Sequence, residues 1–238
     1  MRSTPEPMGT MIYGGIIFDF NGTLFFDSDK QEEAWRIVSR QLRGQDFTRG
    51  EMREKMHGRP SRAIFEYLLG KPLAEDEVWR LSEQKEEIYR ELCLRDRDGF
   101  RLCAGAEALL DRLVRAEIPR TIATASEITN VRFFIRHFGL ERWFDPERIV
   151  YDDGTLPGKP APDIYLKAAR RIGLPPARCL VAEDAASGIE AARRAGAGCI
   201  VAMNSGAVPG PVLRQLPGVD RVIGSFDEFD GSLLGLDG

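Results

Sequence analysis

Five side chains with the chemistry to hold a phosphate and a divalent cation occur at separate points of the chain. Asp19, Thr124 and the pair Glu183-Asp184 each end or follow a short apolar run, and Lys159 lies in a loop before a helical segment. Carboxylates are the ligands that hard cations prefer, and an ammonium and a hydroxyl can bind phosphate oxygens. The set is therefore typical of phosphoryl transfer assisted by a divalent cation.

Each of these residues alone has a simpler interpretation. An aspartate before a turn is usually a turn former, a lone lysine is usually solvated, and Thr124 or Ser126 before Glu127 could cap a helix. The pair Glu183-Asp184 differs, because adjacent acids at the end of an apolar strand repel each other. A cation between them and Asp19 would remove that cost.

Strand-like and helical segments alternate along most of the chain, and this alternation predicts a doubly wound, Rossmann-like α/β fold with a parallel sheet. In such sheets ligands bind at the carboxyl ends of the strands, where these side chains occur. The predicted strands are 14–20, 118–123, 148–151, 179–183, 199–202 and 221–223, and the predicted helices between them are 107–116, 131–138, 161–172 and 185–195.

The stretch 26–100 breaks the alternation, since it contains helical patterns at 30–42, 62–69 and 74–92 and no convincing strand. The sequence therefore predicts a core domain of residues 1–25 and 101–238 and a helical domain of residues 26–100 inserted after the first strand. The segments 1–10 and 230–238 are predicted to be poorly ordered.

Composition argues against several classes of partner. The net charge is −4, and basic residues are interleaved with acidic ones, so we expect no nucleic-acid partner. The sequence has neither an apolar run long enough to span a bilayer nor a recognisable signal peptide, so no membrane partner is expected. Cys179 and Cys199 lie in apolar runs and are predicted to be buried, inert thiols, which favours a cytoplasmic protein.

The order of these motifs resembles the haloacid dehalogenase superfamily. Its first motif, Asp-x-Asp-Gly-Thr, corresponds to 19–23, its second to Thr124, its third to Lys159 within Gly-Lys-Pro-Ala-Pro-Asp-Ile-Tyr, and its fourth to Glu183-Asp184. The Lys-Pro-Ala-Pro-Asp run and the helical insertion are most similar to the β-phosphoglucomutase-like branch, in which a small helical cap opens and closes over the site.

The resemblance implies a role for each motif. Asp19 would attack phosphorus and form an aspartyl-phosphate, and Mg²⁺ would be bound by Asp19, the backbone carbonyl of Asn21, Asp184 and Glu183. Thr124, Lys159 and backbone amides near the turn would hold the phosphoryl oxygens. The remaining residues expected to bind phosphate or substrate are Gly22, Thr23, Ala125 and Ser126.

Two positions depart from the family pattern. The second aspartate of the first motif, the family's general acid and base, is Asn21, and a frequent cap histidine four residues before a tryptophan is Gln31. Three interpretations of Asn21 remain open. The chain could be a working phosphatase in which another group or water moves the proton. It could instead be a weakened protein that binds phosphorylated ligands. Finally, the chain could be a laboratory variant, or Asn21-Gly22 could deamidate to aspartate.

The cap carries a basic loop at 56–62 that resembles the substrate-selecting segment of the same branch. Arg59 and Arg62 are predicted to meet the non-transferring part of an anionic or sugar substrate. In the competing interpretation Ser61 caps the following helix and both arginines are solvated.

The predicted function is that of a Mg²⁺-dependent phosphatase acting on a small phosphorylated metabolite as a monomer. A sugar phosphomutase of the β-phosphoglucomutase type and a catalytically weakened binding protein are the alternatives. Dehalogenase activity is disfavoured, because that branch needs no metal and would leave Glu183-Asp184 unexplained.

Overall fold

The computed structural model describes residues 13–206 and 208–236 of the chain, so the predicted disorder of segment 1–10 lies outside the described residues. The chain divides into two compact units, one from Met1–Phe26 and Leu102–Gly238 and one from Asp27–Arg101. The boundaries predicted from the sequence lie one residue earlier in the chain at each junction.

The larger unit is built on a parallel sheet, which confirms the predicted Rossmann-like α/β fold. Its strand order is β3-β2-β1-β4-β5-β6, so β1 lies between β2 and β4. In register, Phe18 of β1 pairs with Ile122 on one side and Ala182 on the other. Side chains that follow these three strands therefore emerge at one edge of the sheet. The strands are β1 Gly15–Phe18, β2 Arg120–Glu127, β3 Val150–Asp152, β4 Cys179–Glu183, β5 Cys199–Met203 and β6 Arg221–Ile223.

Helices cover the strands and bury their apolar residues. The strands β1, β4 and β5 are buried along their whole length, as expected for a parallel sheet covered on both faces. Tyr165, Ile189 and Val181 belong to one of its apolar clusters. The α-helices are α1 Ser28–Arg43, α2 Arg49–Glu51, α3 Ser61–Leu69, α4 Glu75–Arg95, α5 Ala106–Arg115, α6 Ile128–Phe138, α7 Asp163–Arg171, α8 Ala186–Ala195 and α9 Gly210–Leu213.

Several boundaries in this unit shift from the sequence prediction, and two differences concern the end of β2 and the C-terminal tail. Strand β2 continues past residue 123 to Glu127, because Ala123 and Glu127 both pair with β3 across an irregular register. The prediction of a poorly ordered tail at 230–238 is wrong for the described part. Residues Gly231–Leu234 form a 3-10 helix whose Leu233 and Leu234 are buried, and the Tyr13 amide donates to the Leu233 carbonyl at 2.9 Å. Residues 237–238 lie outside the described part.

The smaller unit contains α1 to α4 and a π-helical turn at Met52–Met56, and its residues 27–101, all described, include no strand. Helix α1 packs against both α3 and α4. The unit has its own apolar core, which includes Trp35, Phe65 and Leu81. The regular structure of the predicted insertion is thus entirely helical, and the insertion has an apolar cluster of its own.

The remaining findings concern the membrane and the cysteines. Among the described helices, none combines the length and the apolar character needed to cross a bilayer.

Cys179 and Cys199 are buried free thiols, as predicted. Burial raises the pKa of Cys179 to about 11, and burial together with the nearby Asp220 carboxylate raises that of Cys199 to about 12, so both stay protonated at neutral pH.

Candidate active site

The turn after β1 places Asp19 at the carboxyl edge of the sheet. The Asp19 amide donates to the Ala182 carbonyl at 2.9 Å, which continues the pairing with β4 by one residue. The amides of residues 23, 24 and 25 then converge on the Phe20 carbonyl, and the Gly22 amide donates to the Phe25 carbonyl at 2.7 Å. Gly22 adopts φ +79°, a left-handed conformation that glycine accepts at little cost. The chain therefore folds back tightly directly after Asp19.

Three buried carboxylates meet at this edge. Asp19, Glu183 and Asp184 are 6%, 1% and 8% exposed, and one oxygen from each lies within 4.8 Å of the others. Burial, and then the charges of Glu183 and Asp19, raise the pKa of Asp184 to about 8. Such a cluster is costly unless a cation neutralises it. The donor set, all carboxylate oxygens, fits a hard divalent ion such as Mg²⁺.

Two glycines leave the space that these carboxylates occupy. A Cβ atom on Gly22 would lie 2.0 Å from Asp184 Oδ2, and one on Gly188 would lie 1.6 Å from Glu183 Oε1. Both distances are far below van der Waals contact. The sequence therefore needs glycine at both positions if Glu183 and Asp184 are to stay where they are.

Lys159 joins this cluster as a buried ammonium. Its Nζ donates to Asp19 Oδ1 at 2.7 Å and to Glu183 Oε1 at 2.5 Å. Burial opposes the charged form, but the charges of Asp19 and Glu183 outweigh it and hold the pKa of Lys159 well above its ordinary value. The interpretation of Lys159 as a solvated surface residue is wrong. It is a fixed positive charge beside the carboxylate expected to attack phosphorus.

Glu183 is held by two further donors. The Ala185 amide donates to Glu183 Oε2 at 2.7 Å, and the Tyr165 hydroxyl donates to Oε1 at 3.1 Å. The Lys159 ammonium also lies 5.1 Å from the centre of the Tyr165 ring. The sequence analysis missed Tyr165 as a site residue, although it ends the Gly-Lys-Pro-Ala-Pro-Asp-Ile-Tyr run. Its position in α7, six residues after Lys159, was the available signal.

Thr124 and Ser126 lie near the carboxyl end of β2 and do not cap α6. Helix α6 has Glu127 at its N-cap position and no side-chain cap bond. The Ser126 amide donates to Thr124 Oγ1 at 3.1 Å, which leaves the Thr124 hydroxyl proton to donate elsewhere. The Ser126 hydroxyl donates to Asn21 Oδ1 at 2.7 Å, so the end of β2 is tied to the turn after β1.

Ser205 is a further residue that the sequence did not indicate. Its hydroxyl donates to Asp184 Oδ2 at 3.1 Å from the segment after β5. Together these contacts place the Asp19 carboxylate, a fixed ammonium and a cluster of three carboxylates at the carboxyl edge of one parallel sheet. This is the arrangement that the order of the sequence motifs anticipates.

Comparison with known families agrees with this geometry, since the family of haloacid dehalogenase-like hydrolases matches residues 13–196. The chain belongs to this family. It is similar to fructose-1-phosphate phosphatase YqaB of Escherichia coli K12, with 30% identity over 184 residues that cover 77% of this chain and 93% of that protein. It is also similar to β-phosphoglucomutase of Mycobacterium bovis, with 31% identity over 135 residues that cover 56% and 50% of the two chains.

A solved structure extends the comparison to the whole fold. The crystal structure of a family IA, variant 3 hydrolase from Entamoeba histolytica superimposes with a TM-score of 0.87 at 36% identity, covering 93% of this chain and 98% of that one. The chain thus lies in the branch of haloacid dehalogenase-like hydrolases that includes β-phosphoglucomutase, and its helical unit corresponds to the cap of that branch.

The backbone amides of two residues predicted to bind phosphate, Gly22 and Thr23, already have partners in the turn after β1. The amides of Gly22 and Thr23 donate to the Phe25 and Phe20 carbonyls, so the turn itself uses them. Ala125 lies exposed near the carboxyl end of β2, beside Thr124, where a phosphate contact stays a prediction. A contact of Gly22 or Thr23 with phosphate therefore stays a prediction, and it would have to compete with these turn bonds or use other atoms.

The cap residues singled out in the sequence lie in the smaller unit. Arg62 donates to the Leu73 carbonyl at 2.7 Å and pairs with Glu75 at 2.5 Å, so its guanidinium links segments of the cap itself. Arg59 is exposed, and its contact with substrate stays a prediction. Pro60 is the N-cap residue of α3 and Ser61 is its first residue, so the interpretation of Ser61 as a cap is wrong.

Gln31, at the cap position where the family often has histidine, belongs to a polar network inside the same unit. Lys85 donates to Gln31 Oε1, and Gln31 Nε2 donates to Asp27 Oδ2 at 3.3 Å. The Tyr89 hydroxyl also donates to Asp27 Oδ2, at 2.6 Å. Gln31 therefore has a clear structural role in the cap, and its amide does not titrate.

Replacing Tyr165 with phenylalanine is expected to lower kcat by roughly 10-fold, the lower end of the range for a residue that holds a metal ligand. The ring would stay under Lys159, but Glu183 would lose the hydroxyl that fixes Oε1. The Mg²⁺ concentration for half-maximal rate should rise with little change in KM. A merely structural role would instead lower the melting temperature and leave the Mg²⁺ requirement unchanged. Tyr151→Phe, on the partly exposed β3, is the matched control.

Proposed function

We propose that the chain is a Mg²⁺-dependent phosphatase of a small phosphorylated metabolite and that its reaction passes through an aspartyl-phosphate on Asp19. The observation that carries the proposal is the contact of one buried carboxylate with two different partners. Asp19 touches the Lys159 ammonium at 2.7 Å and also shares the carboxylate cluster with Glu183 and Asp184. A nucleophile that must meet an anionic substrate needs this kind of positive surrounding.

The residues divide the chemistry between them. An oxygen of Asp19 attacks phosphorus, the bond from phosphorus to the leaving oxygen breaks, and that oxygen takes the electron pair. Lys159 and the Thr124 hydroxyl hold the phosphoryl oxygens as charge shifts onto them. Asp19, Glu183, Asp184 and the backbone carbonyl of Asn21 would hold Mg²⁺, which supplies positive charge against the phosphate. Water then attacks the acyl-phosphate and restores the Asp19 carboxylate.

A sugar phosphomutase is the second candidate, and the similarity to β-phosphoglucomutase favours it. A mutase must return the phosphoryl group to a bound sugar and must suppress hydrolysis, which is harder with an amide at position 21. The third candidate is not an enzyme but a protein that binds phosphorylated ligands without turnover. The similarity to fructose-1-phosphate phosphatase, which covers more of the chain, supports the phosphatase.

The setting of the reaction is predicted from the sequence. The net charge of −4 is consistent with a small-molecule substrate in place of a nucleic acid. The absence of membrane partners, the monomeric state and the cytoplasmic location stay predictions from the sequence.

Phosphate release from a panel of phosphorylated sugars and from p-nitrophenyl phosphate tests the proposal directly. We expect turnover that requires Mg²⁺, stops when EDTA is added and returns when Mg²⁺ is restored in excess. A folded protein that binds the sugars but releases no phosphate from any compound would contradict the phosphatase. Conversion of β-glucose 1-phosphate to the 6-phosphate without release of phosphate would favour the mutase.

Magnesium is also expected to stabilise the protein more strongly at pH 8 than at pH 5. The pKa of Asp184 is about 8 in the folded protein against an ordinary value of 3.8. Between pH 3.8 and pH 8 the folded metal-free state therefore binds more protons than the unfolded state. Its stability therefore falls as pH rises through this window. A bound cation, which favours the ionised carboxylate, should remove most of that loss.

Calorimetric melting temperatures with Mg²⁺ and with EDTA at both pH values measure this effect. Asp184→Asn, which cannot ionise, should melt at nearly the same temperature in EDTA at pH 5 and pH 8 if Asp184 is the responsible group. An equal effect of Mg²⁺ at the two pH values would show that the carboxylate cluster is not the cation site.

A further inference from the structure

The groups at the carboxyl edge of the sheet are poorly suited to supply a proton to a leaving group. Asn21, two residues after the nucleophile Asp19, carries an amide that neither gives nor takes a proton near neutral pH. Its Oδ1 accepts the Ser126 hydroxyl at 2.7 Å, which ties the amide to the end of β2. The hydroxyl proton of Ser126 is used in that contact.

The other proton-carrying groups at this edge are engaged or too weakly acidic. The Thr124 hydroxyl, which accepts the Ser126 amide at 3.1 Å, is no more acidic than the alcohol that it would have to protonate. The Lys159 ammonium is held between the carboxylates of Asp19 and Glu183. The Tyr165 hydroxyl is fully buried and donates to Glu183 from the side of α7. Glu183 and Asp184 would be ionised as ligands of the cation. Each of these groups stabilises negative charge at the site, and none is placed to protonate a departing oxygen.

We propose that the substrates are phosphoryl donors whose leaving group departs without being protonated, namely acyl phosphates and phosphate esters of acidic hydroxyl groups such as enols and phenols. This inference rests on the proposed function and names its substrate class. An alkoxide is too basic to leave readily without a proton, whereas a carboxylate, enolate or phenolate is a stable anion.

The two steps of the reaction respond differently to this arrangement. In the first step the carboxylate of Asp19 forms a bond to phosphorus, and the leaving group departs as an anion with the electron pair of the broken bond. In the second step water attacks phosphorus, the bond to Asp19 breaks, the carboxylate is restored, and the water protons pass to the phosphate product and to solvent. The second step has no base from Asn21, so it is slow for every donor.

Two kinetic consequences follow. For acidic leaving groups the first step is faster than the second, so the aspartyl-phosphate accumulates and the leaving group appears in a burst. The value of kcat is then the same for all such donors, because it reports the shared hydrolysis step. For alkyl phosphates the first step itself is slow, and kcat/KM falls steeply as the leaving group becomes more basic.

Asn21→Asp is the variant that tests the inference, since an aspartate could still accept the Ser126 hydroxyl while exchanging protons. The kcat/KM values of both forms are measured for acetyl phosphate, p-nitrophenyl phosphate, phenyl phosphate and glycerol 3-phosphate. The variant should raise kcat/KM for the alkyl ester by roughly 10²–10⁴-fold, the usual contribution of general acid–base catalysis, and much less for acetyl phosphate. Asn204→Asp, which adds the same charge after β5, is the matched control and should give no comparable gain.

Rapid-quench measurements with p-nitrophenyl phosphate complete the test. A burst of nitrophenol in the wild type that disappears in Asn21→Asp supports the inference. An equal gain in kcat/KM across the whole series, or a wild type with the same kcat/KM for glycerol 3-phosphate as for phenyl phosphate, overturns it while the phosphatase stands. If no donor shows release that depends on Asp19, the proposed function fails and the inference fails with it.

Discussion

Replacing Asp19 with asparagine is expected to abolish turnover of every phosphorylated substrate, with a loss in kcat of roughly 10⁴-fold or more, as for other covalent nucleophiles. The amide has nearly the same shape as the carboxylate but cannot form an acyl-phosphate. It also removes one of the three clustered carboxylates, so the charge repulsion that raises the pKa of Asp184 should decrease. The variant also loses the charged contact between Asp19 and Lys159, but Lys159 keeps its contact with Glu183 Oε1, so the metal-free variant should stay folded.

This combination separates a catalytic role for Asp19 from a structural one. Phosphate release and the melting temperature in EDTA are measured for Asp19→Asn and for Asp152→Asn. Asp152 ends β3, its side chain is exposed, and it accepts the Gly154 amide at 2.9 Å, so it serves as the matched acidic residue outside the cluster. Substantial turnover in Asp19→Asn, with unchanged Mg²⁺ dependence, would show that another group attacks phosphorus.

The sequence predicted those site residues whose type alone restricts what they can do, such as an ammonium or a pair of carboxylates. Asp19 and the pair Glu183-Asp184 follow from the rule that parallel strands present their carboxyl ends at one edge, and Lys159 follows from its place in the order of the motifs. The structure places all four within direct contact or within one cluster. Their motif spacing was enough because β1 and β4 are adjacent in the strand order β3-β2-β1-β4-β5-β6, which is one of the common orders of a doubly wound sheet.

The parts that the sequence missed depend on side-chain packing between distant segments. Tyr165 reaches Glu183 only because α7 packs across the sheet, and Ser205 reaches Asp184 from the segment after β5. Serine and tyrosine occur both inside and outside active sites, so their residue type alone gives no signal. The C-terminal segment was predicted to be disordered for a similar reason. Its few apolar residues, Leu233 and Leu234, are buried against parts of the fold that a local pattern does not show.

Replacing Gly22 with alanine is expected to destroy the cation site and to destabilise the protein. The left-handed conformation at φ +79° costs an alanine about 1–2 kcal/mol relative to an ordinary backbone. The new methyl group would also lie 2.0 Å from Asp184 Oδ2, so either the carboxylate or the turn must move. Because Asp184 has a bond from Ser205 and lies beside Glu183, it cannot move without loss of the cluster. We expect kcat to fall by at least roughly 10²-fold, as for the removal of a fixed charge-stabilising group.

Gly173→Ala separates the collision from the backbone strain. Gly173 also adopts a left-handed conformation, at φ +74°, but an added Cβ there would have no atom within 4 Å. It should therefore lose a similar amount of stability from the backbone and keep the activity and Mg²⁺ affinity of the wild type. The diagnostic result is a loss of Mg²⁺ binding, measured by calorimetric titration, in Gly22→Ala alone. If both alanine variants bind Mg²⁺ as the wild type does, Asp184 does not hold the cation from its position against the turn, and the site as described is wrong.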